Sequence, residues 1–302
     1  MHEWQAELVL DARAELGECP LWSVDEQCLY WIDIAGRRLH RYAPQSGGVQ
    51  HWPMPCEPGC IGLAEGGGLV AALRDGFYRF DTATGQLRKL ADAPYDSSTM
   101  RFNDGRCDAA GRFWAGAMYQ PRTAELAAVF CLERGQVRPG WGPQQALGVK
   151  VSNGMAFAAD GRALFQSDTP NHVIYRFDYD LEHGAIGQRQ VFARAPTRGE
   201  EAQYGGRPDG AALDVEGNYW SAQYEGGRVL RYSPQGVVTD IVHLPVTRPT
   251  MVAFGGADLR TLYITSAREG AGPEELARQP QAGGLFAVQL EVGGRAEPLY
   301  RD

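Results

Sequence analysis

The chain has 302 residues, 44% of them hydrophobic and 22% charged, with a formal net charge of −8. That composition is ordinary for a globular protein and excludes a disordered or coiled-coil chain, and the acidic balance repels phosphate backbones and anionic lipid, so neither nucleic acid nor a membrane is expected as a partner. Met1 to Cys19 carries Glu3, Glu7, Asp11 and Glu15 in place of the basic and apolar regions of a signal peptide, no apolar run reaches membrane-spanning length, and the six cysteines read as reduced thiols, which together point to a cytoplasmic protein.

The 38 Gly and 18 Pro are scattered along the chain at regular spacing, the mark of many short strands joined by tight turns. One cassette recurs: an acidic or Gly turn, an aromatic-rich strand, a second turn, and a strand that often ends in Arg-Tyr or Arg-Phe. It appears first at Ser23–Asp33 with Gly36–Tyr42, and next at Gly66–Leu73 with Gly76–Phe80 and the turn Asp81–Gly85. Further copies follow at Asp108–Gly116 with Ala128–Glu133, at Ala159–Asp168 with His172–Asp178, at Asp214–Ala222 with Gly227–Tyr232, and at Gly256–Thr265 with Gly283–Leu290. Equivalent turns recur every ~40 to 55 residues, the length a four-stranded propeller blade needs.

Within Leu29–Asp33 and Gly227–Ser233 polar and apolar positions alternate, which predicts half-buried strands. The fold expected is therefore all-β, a six-bladed β-propeller that occupies residues 1–302 as one domain. Either Ala6–Leu10 or Glu297–Tyr300 can supply the strand that joins the last blade to the first and leaves no long open edge. A pair of β-sandwiches would lack the repeated turn-aromatic cassette. Pro273–Arg278 reads as a short surface helix, Trp22, Trp31, Trp114 and Trp220 as packing between blades, and Glu200-Glu201 as solvated loop charge that could flank the channel mouth.

A second set of residues interrupts the repeat, each in the stretch leading into a blade's innermost strand: Gly17-Glu18, Arg101-Phe102-Asn103-Asp104-Gly105, Ser152-Asn153-Gly154 and Pro208-Asp209-Gly210. Taken singly, an Asn-Gly or Asp-Gly pair is a turn signal. Repeated at equivalent blade positions, the polar side chains would converge on the propeller axis, so Glu18, Asn103, Asn153 and Asp209 are expected to meet there. Two carboxylates with amide oxygens make an all-oxygen site for one divalent cation: Ca²⁺, Mg²⁺, Mn²⁺, Zn²⁺ or Fe²⁺. The histidines His2, His40, His51, His172, His183 and His243 include no HExxH pair, and no nucleophile elbow, P-loop or dinucleotide turn occurs.

Five ordered segments resemble the senescence-marker-protein/gluconolactonase family, which includes regucalcin and bacterial sugar lactonases. They are "LGECPLW" with Glu18, "RFNDGRCDAAGRFWAGAM" from Arg101, "SNGMAFAADG" from Ser152, "PDGAALDVEGNYW" from Pro208 and "AFGGADLRTLYITSA" from Ala253. The late segment Ala267–Val288 is most similar to bacterial aldonolactonases. The resemblance implies a propeller with one axial metal held by Glu18, Asn153 and Asp209, with Arg101 and Asn103 contacting substrate and Asp209 also serving as general acid and base. It implies a small sugar lactone as substrate and leaves the oligomeric state open; read from the residues themselves, Arg101 is either help at the oxyanion or the partner of a nearby carboxylate, and Asp104 is a turn residue or one that orients a ligand. One departure concerns the substrate: some relatives carry a Glu soon after an "AGTM"-like motif, whereas here Met118 is followed by Tyr119-Gln120-Pro121-Arg122. A related propeller hydrolase acting on phosphotriesters or other esters, and a non-catalytic calcium-binding propeller, are the competing readings.

Overall fold

A computed structural model describes residues 1–145, 147–200 and 204–302. Among them lie six sheets, antiparallel except for one added outer strand, whose innermost strands are Gly17–Ser23, Pro58–Leu63, Met100–Cys107, Ser152–Phe157, Arg207–Leu213 and Pro249–Gly255. Each innermost strand packs beside the next, and the last returns to the first, so the sheets are the blades of a six-bladed β-propeller around a central channel.

Within a blade the strands run outward in chain order, as in Gly17–Ser23, Cys28–Asp33, Arg38–Ala43 and Gly48–Pro53. Burial falls in the same direction: every residue of Cys28–Asp33 is buried, whereas most of Gly48–Pro53 is exposed. The half-buried alternation expected over Leu29–Asp33 is thus corrected. Blades stack face to face, so an inner strand is covered on both sides and alternation survives only toward the rim.

The N-terminal segment closes the ring. Glu7–Leu10 pairs antiparallel with Leu285–Gln289 as the outermost strand of the last blade, and His2–Gln5 adds in parallel to Val238–His243 of the blade before it. Glu297–Tyr300 does a different job from the closing role open to it in the sequence. It crosses the face away from Glu18 and Asp209, where Tyr300 bonds with Leu63 and Glu65, Arg301 with Gly111, and Glu297 with Arg106 at 2.7 Å. Arg106 also reaches Ala211 O on another innermost strand, so this pair ties the C-terminal segment across two blades. Pro273–Arg278 is a helix with no buried residue, and no helix among the described residues is long and apolar enough to cross a membrane.

Aromatic rings fill the gaps between blades. Trp22 stacks on Tyr263 at 5.7 Å, and Trp114 and Trp220 meet Tyr179 and Phe254 edge-on, each at 6.0 Å. Trp31 lies in a buried cluster with Tyr263 and Leu285 of the last blade and also stacks on His40 of its own blade at 4.8 Å. A buried indole N–H needs an acceptor, and for Trp114 and Trp220 the turn acid of the cassette supplies it, while Trp22 Nε1 has none among the described residues. Asp108 accepts from Trp114 Nε1 and Asp214 from Trp220 Nε1, each at 3.0 Å. The cysteines are unpaired, five of them buried.

Candidate active site

Every innermost strand loses register with its neighbour at the same level: after Glu18, Pro58, Phe102, Asn153, Pro208 and Pro249. A bulge there inserts extra backbone and turns a side chain that would face a neighbouring blade toward the axis. The polar set therefore lies inside the innermost strands, and the expectation that it lies in the stretches leading into them is corrected. Cys19 and Gly154 take left-handed φ of +50° and +62° at two of these bulges. At Gly154 a Cβ would collide with Tyr219 Oη and Ser167 Oγ, while Tyr219 Oη donates to Gly154 O at 2.8 Å, so only glycine lets the two blades close here.

Glu18, Arg101, Asn103, Asn153 and Asp209 all line one open cavity of about 230 Å³ at the axis. The amides are cross-linked. Arg101 donates to Asn103 Oδ1 at 2.8 Å, Asn103 Nδ2 donates to Ser152 O at 3.0 Å and to Asn153 Oδ1, and Asn153 Nδ2 donates to Thr169 Oγ1 at 2.8 Å. Asp104 lies beneath, accepting from the Gly105 and Met155 amides, each at 2.7 Å, and so ties the bulge of one blade to that of the next.

The two carboxylates at the cavity floor, Glu18 and Asp209, have fewer donors than Asp104. Glu18 accepts only from the adjacent Cys19 amide at 3.3 Å, and Asp209 accepts no hydrogen bond from the protein among the described residues. Burial, then the neighbouring Asp209 and Asp104, hold the Glu18 carboxyl well above its usual range. Burial, then Asp104, push Asp209 up to about 8, against the pull of Arg207, Arg122 and Arg101. Asp104 is raised to about 6 by burial, with its backbone donors opposing. Arg101 is lowered to about 10, first by burial and then by Arg122.

Among the described residues no three His, Cys, Asp or Glu side chains form a metal-binding group. The donors at the cavity floor are two carboxylates and amide oxygens, a mixture that suits a hard cation better than a thiolate- or imidazole-seeking one.

Two flanking acids fix the approach to this floor. Asp33 accepts from the Glu15, Leu16 and Gly36 amides, and Asp168 from Lys150, Val151 and Asn171. Each carboxylate ends a second strand and clamps the chain just before Glu18 or Asn153.

Sequence reasoning missed the wall above the floor, which carries Arg122, Arg207, Tyr224, Glu225, Arg248 and Glu269. A signal existed for two of them: Arg207-Pro208 and Arg248-Pro249 repeat one dipeptide just ahead of a bulge. Arg248 is paired with Glu275 of the short helix, which gives that insertion a place in the cavity wall. Glu200 is exposed and caps the Thr197 amide rather than lining the cavity. Glu201 lies outside the described residues.

A six-bladed propeller with buried, uncompensated carboxylates at one end of its axis defines a class of ligand-binding and hydrolytic propellers. The chain belongs to the SMP-30/gluconolactonase/LRE-like family, whose profile matches residues 16–268. It is 53% identical over 289 residues to 6-deoxy-6-sulfogluconolactonase of Pseudomonas putida, covering 94% of each chain. It is 34% identical over 296 residues to pentonolactonase XacC of Haloferax volcanii, covering 96% of each. Among solved structures, a calcium-binding protein, regucalcin, from Agrobacterium tumefaciens superposes with a TM-score of 0.92 at 28% identity, over 100% of both chains.

Proposed function

We propose that this protein hydrolyses a sugar lactone to the open-chain aldonic acid, assisted by one divalent cation held by Glu18, Asn153 and Asp209. The observation that carries the reading is the pair of buried carboxylates at the cavity floor with almost no protein donors. Buried like charges left without partners are costly, and a cation among their oxygens offsets both. The oxygen donors fit Ca²⁺, Mg²⁺, Mn²⁺, Zn²⁺ or Fe²⁺. Two relatives are named for lactone hydrolysis, one on a sulfonated gluconolactone and one on a pentonolactone, which supports the reaction and leaves the substituents on the sugar open.

A bound divalent cation of this kind polarises a carbonyl oxygen and acidifies water. The side chains around it do the rest. An Asp209 carboxylate oxygen takes a proton from the attacking water as its oxygen bonds to the carbonyl carbon. It returns that proton to the ring oxygen when the ring C–O bond breaks. Burial and Asp104 favour the protonated form of Asp209 in the metal-free site, and with a cation among its oxygens it is held ionised and able to accept that proton. Arg101 commits one nitrogen to Phe102 O and Asn103 Oδ1. Its remaining N–H groups are free to stabilise the developing oxyanion. Asn103, held by Arg101 and by its bond to Asn153, contacts the sugar, and Asp104 keeps the Asn153 bulge in place. The chain acts as a single domain in the cytoplasm.

The test is to strip the protein of metal, restore each ion in turn, and follow hydrolysis of a panel of 1,4- and 1,5-aldonolactones beside phosphotriesters. Restored lactone turnover is expected. Turnover no faster than the ion alone rejects the reading.

A further inference from the structure

We propose that the cavity selects lactones bearing a tetrahedral oxyanion, a sulfonate or a phosphate, on the carbon remote from the reacting carbonyl, and that Arg122 is the specificity-determining residue. The proposal rests on the lactonase reading above and adds to it the charge of the substrate. Above the floor carboxylates, the cavity wall carries Arg101, Arg122, Arg207 and Arg248 against Glu225 and Glu269.

The pairing of these groups leaves positive charge uncommitted. Arg248 is matched by Glu275. Glu225 is shared between two guanidiniums, Arg198 at 2.9 Å and Arg207 at 3.3 Å. Arg207 also keeps a buried Nε with no partner. Arg101 is only 6% exposed, yet its hydrogen bonds go to uncharged acceptors, Phe102 O and Asn103 Oδ1. Arg122 forms no ion pair among the described residues and stands close enough to Arg101 and Asp209 to act on both. Arg101 and Arg122, with Arg207 holding only a shared carboxylate, thus face one wall carboxylate that forms no ion pair among the described residues, Glu269.

A buried guanidinium beside a second one is unfavourable; Glu269 and Glu18 offset part of that at Arg101, and a bound anion would offset more. Neutral sugar hydroxyls can accept its hydrogen bonds but leave its charge standing. A sulfonate or phosphate presents three acceptor oxygens and a charge, which matches the planar fork of arginine. The reacting carbonyl belongs at the floor, beside Asp209, so the anion belongs at the far end of the sugar, under Arg122. Arg122 is itself exposed, follows Pro121 in a turn with φ of +57°, and carries no structural bond that its loss would break.

The experiment measures kcat and KM for 1,5-gluconolactone and for its 6-sulfo and 6-phospho derivatives, with wild type, Arg122→Gln and Arg122→Lys, at low and high salt. Wild type is expected to prefer an anionic lactone, and the preferred one identifies sulfonate or phosphate as the group recognised. In Arg122→Gln the ratio of anionic to neutral kcat/KM should fall about tenfold, mostly through KM, as loss of one charge-assisted contact implies. Arg122→Lys should recover part of it, and salt should raise KM for the anionic lactone alone. A wild type without preference, or a ratio unchanged in Arg122→Gln, overturns the proposal. Calorimetric binding of 6-sulfogluconate against gluconate separates the two readings. Tighter binding of the sulfonated acid without any lactone turnover supports the anion site and rejects the lactonase. Equal binding of the two acids rejects the anion site even where lactones are hydrolysed.

Discussion

Asp108 and Asp209 are both nearly removed from solvent, at 0% and 6% exposure, and they could hardly be housed more differently. Asp108 accepts from the Ala110 and Arg112 amides, Arg112 Nη1, Trp114 Nε1 and Tyr179 Oη. Asp209, in a cavity of comparable burial, accepts nothing from the protein among the described residues and sits near another carboxylate, Asp104. The chain saturates the acids that hold its blades and starves the ones that face a ligand. Saturation stabilises, because a buried carboxylate with several donors has replaced its water. Starvation costs stability and makes a place for a cation.

The largest effect that could break this contrast is at Asp209 itself. Asp209→Asn is expected to lower lactone turnover by roughly 10²- to 10⁴-fold, the span of general acid–base contributions, while urea unfolding of the metal-free variant shows no loss of stability. A clear destabilisation would mean that Asp209 holds the fold after all. Asp108→Ala should do the reverse. Removing it leaves Arg112 with Glu133 as its one carboxylate partner and strands the Trp114 and Tyr179 donors, at a cost of about 3–5 kcal/mol in unfolding free energy, and any surviving folded protein should keep its KM.

His40 sharpens the same comparison for a base. It is stacked on Trp31, with Nε2 buried and unpartnered, and burial lowers it from 6.5 to about 4. The unfolded chain therefore binds the proton more readily than the folded one. Stability is full above about 6.5 and declines as pH falls toward 4, by roughly 3 kcal/mol in all. Thermal midpoints of His40→Leu should show a weaker decline over that window than wild type, and parallel curves would contradict it. The smallest expected effect is at Asp33. Asp33→Asn keeps part of its hydrogen bonding to Glu15, Leu16 and Gly36, so a loss of about 1 kcal/mol is expected, read as a small shift in the denaturant midpoint.

Much of the architecture was legible because it repeats. The spacing from turn acid to Trp114 or Trp220 reflects one side-chain hydrogen bond made in more than one blade, and any period in the chemistry becomes a period in the letters. Glu18, Asn103, Asn153 and Asp209 could be grouped for the same reason, since each marks a bulge at one level of the ring. What the letters did not show is what depends on contact between blades. Burial of Leu29–Asp33 on both faces needs a neighbouring sheet, and a local pattern carries no record of it. Arg122, Glu225 and Glu269 come from separate connections that have no common motif, so only folding assembles them. Glu297 was visible as part of a terminal strand candidate, but its partner Arg106 lies 191 residues away.

That last pair is a brace. Glu297 holds Arg106 of one innermost strand, and Arg106 holds Ala211 O of another. The C-terminal segment thereby fastens two blades that are 105 residues apart in sequence, so the end of the chain works as a clasp on the ring opposite the site.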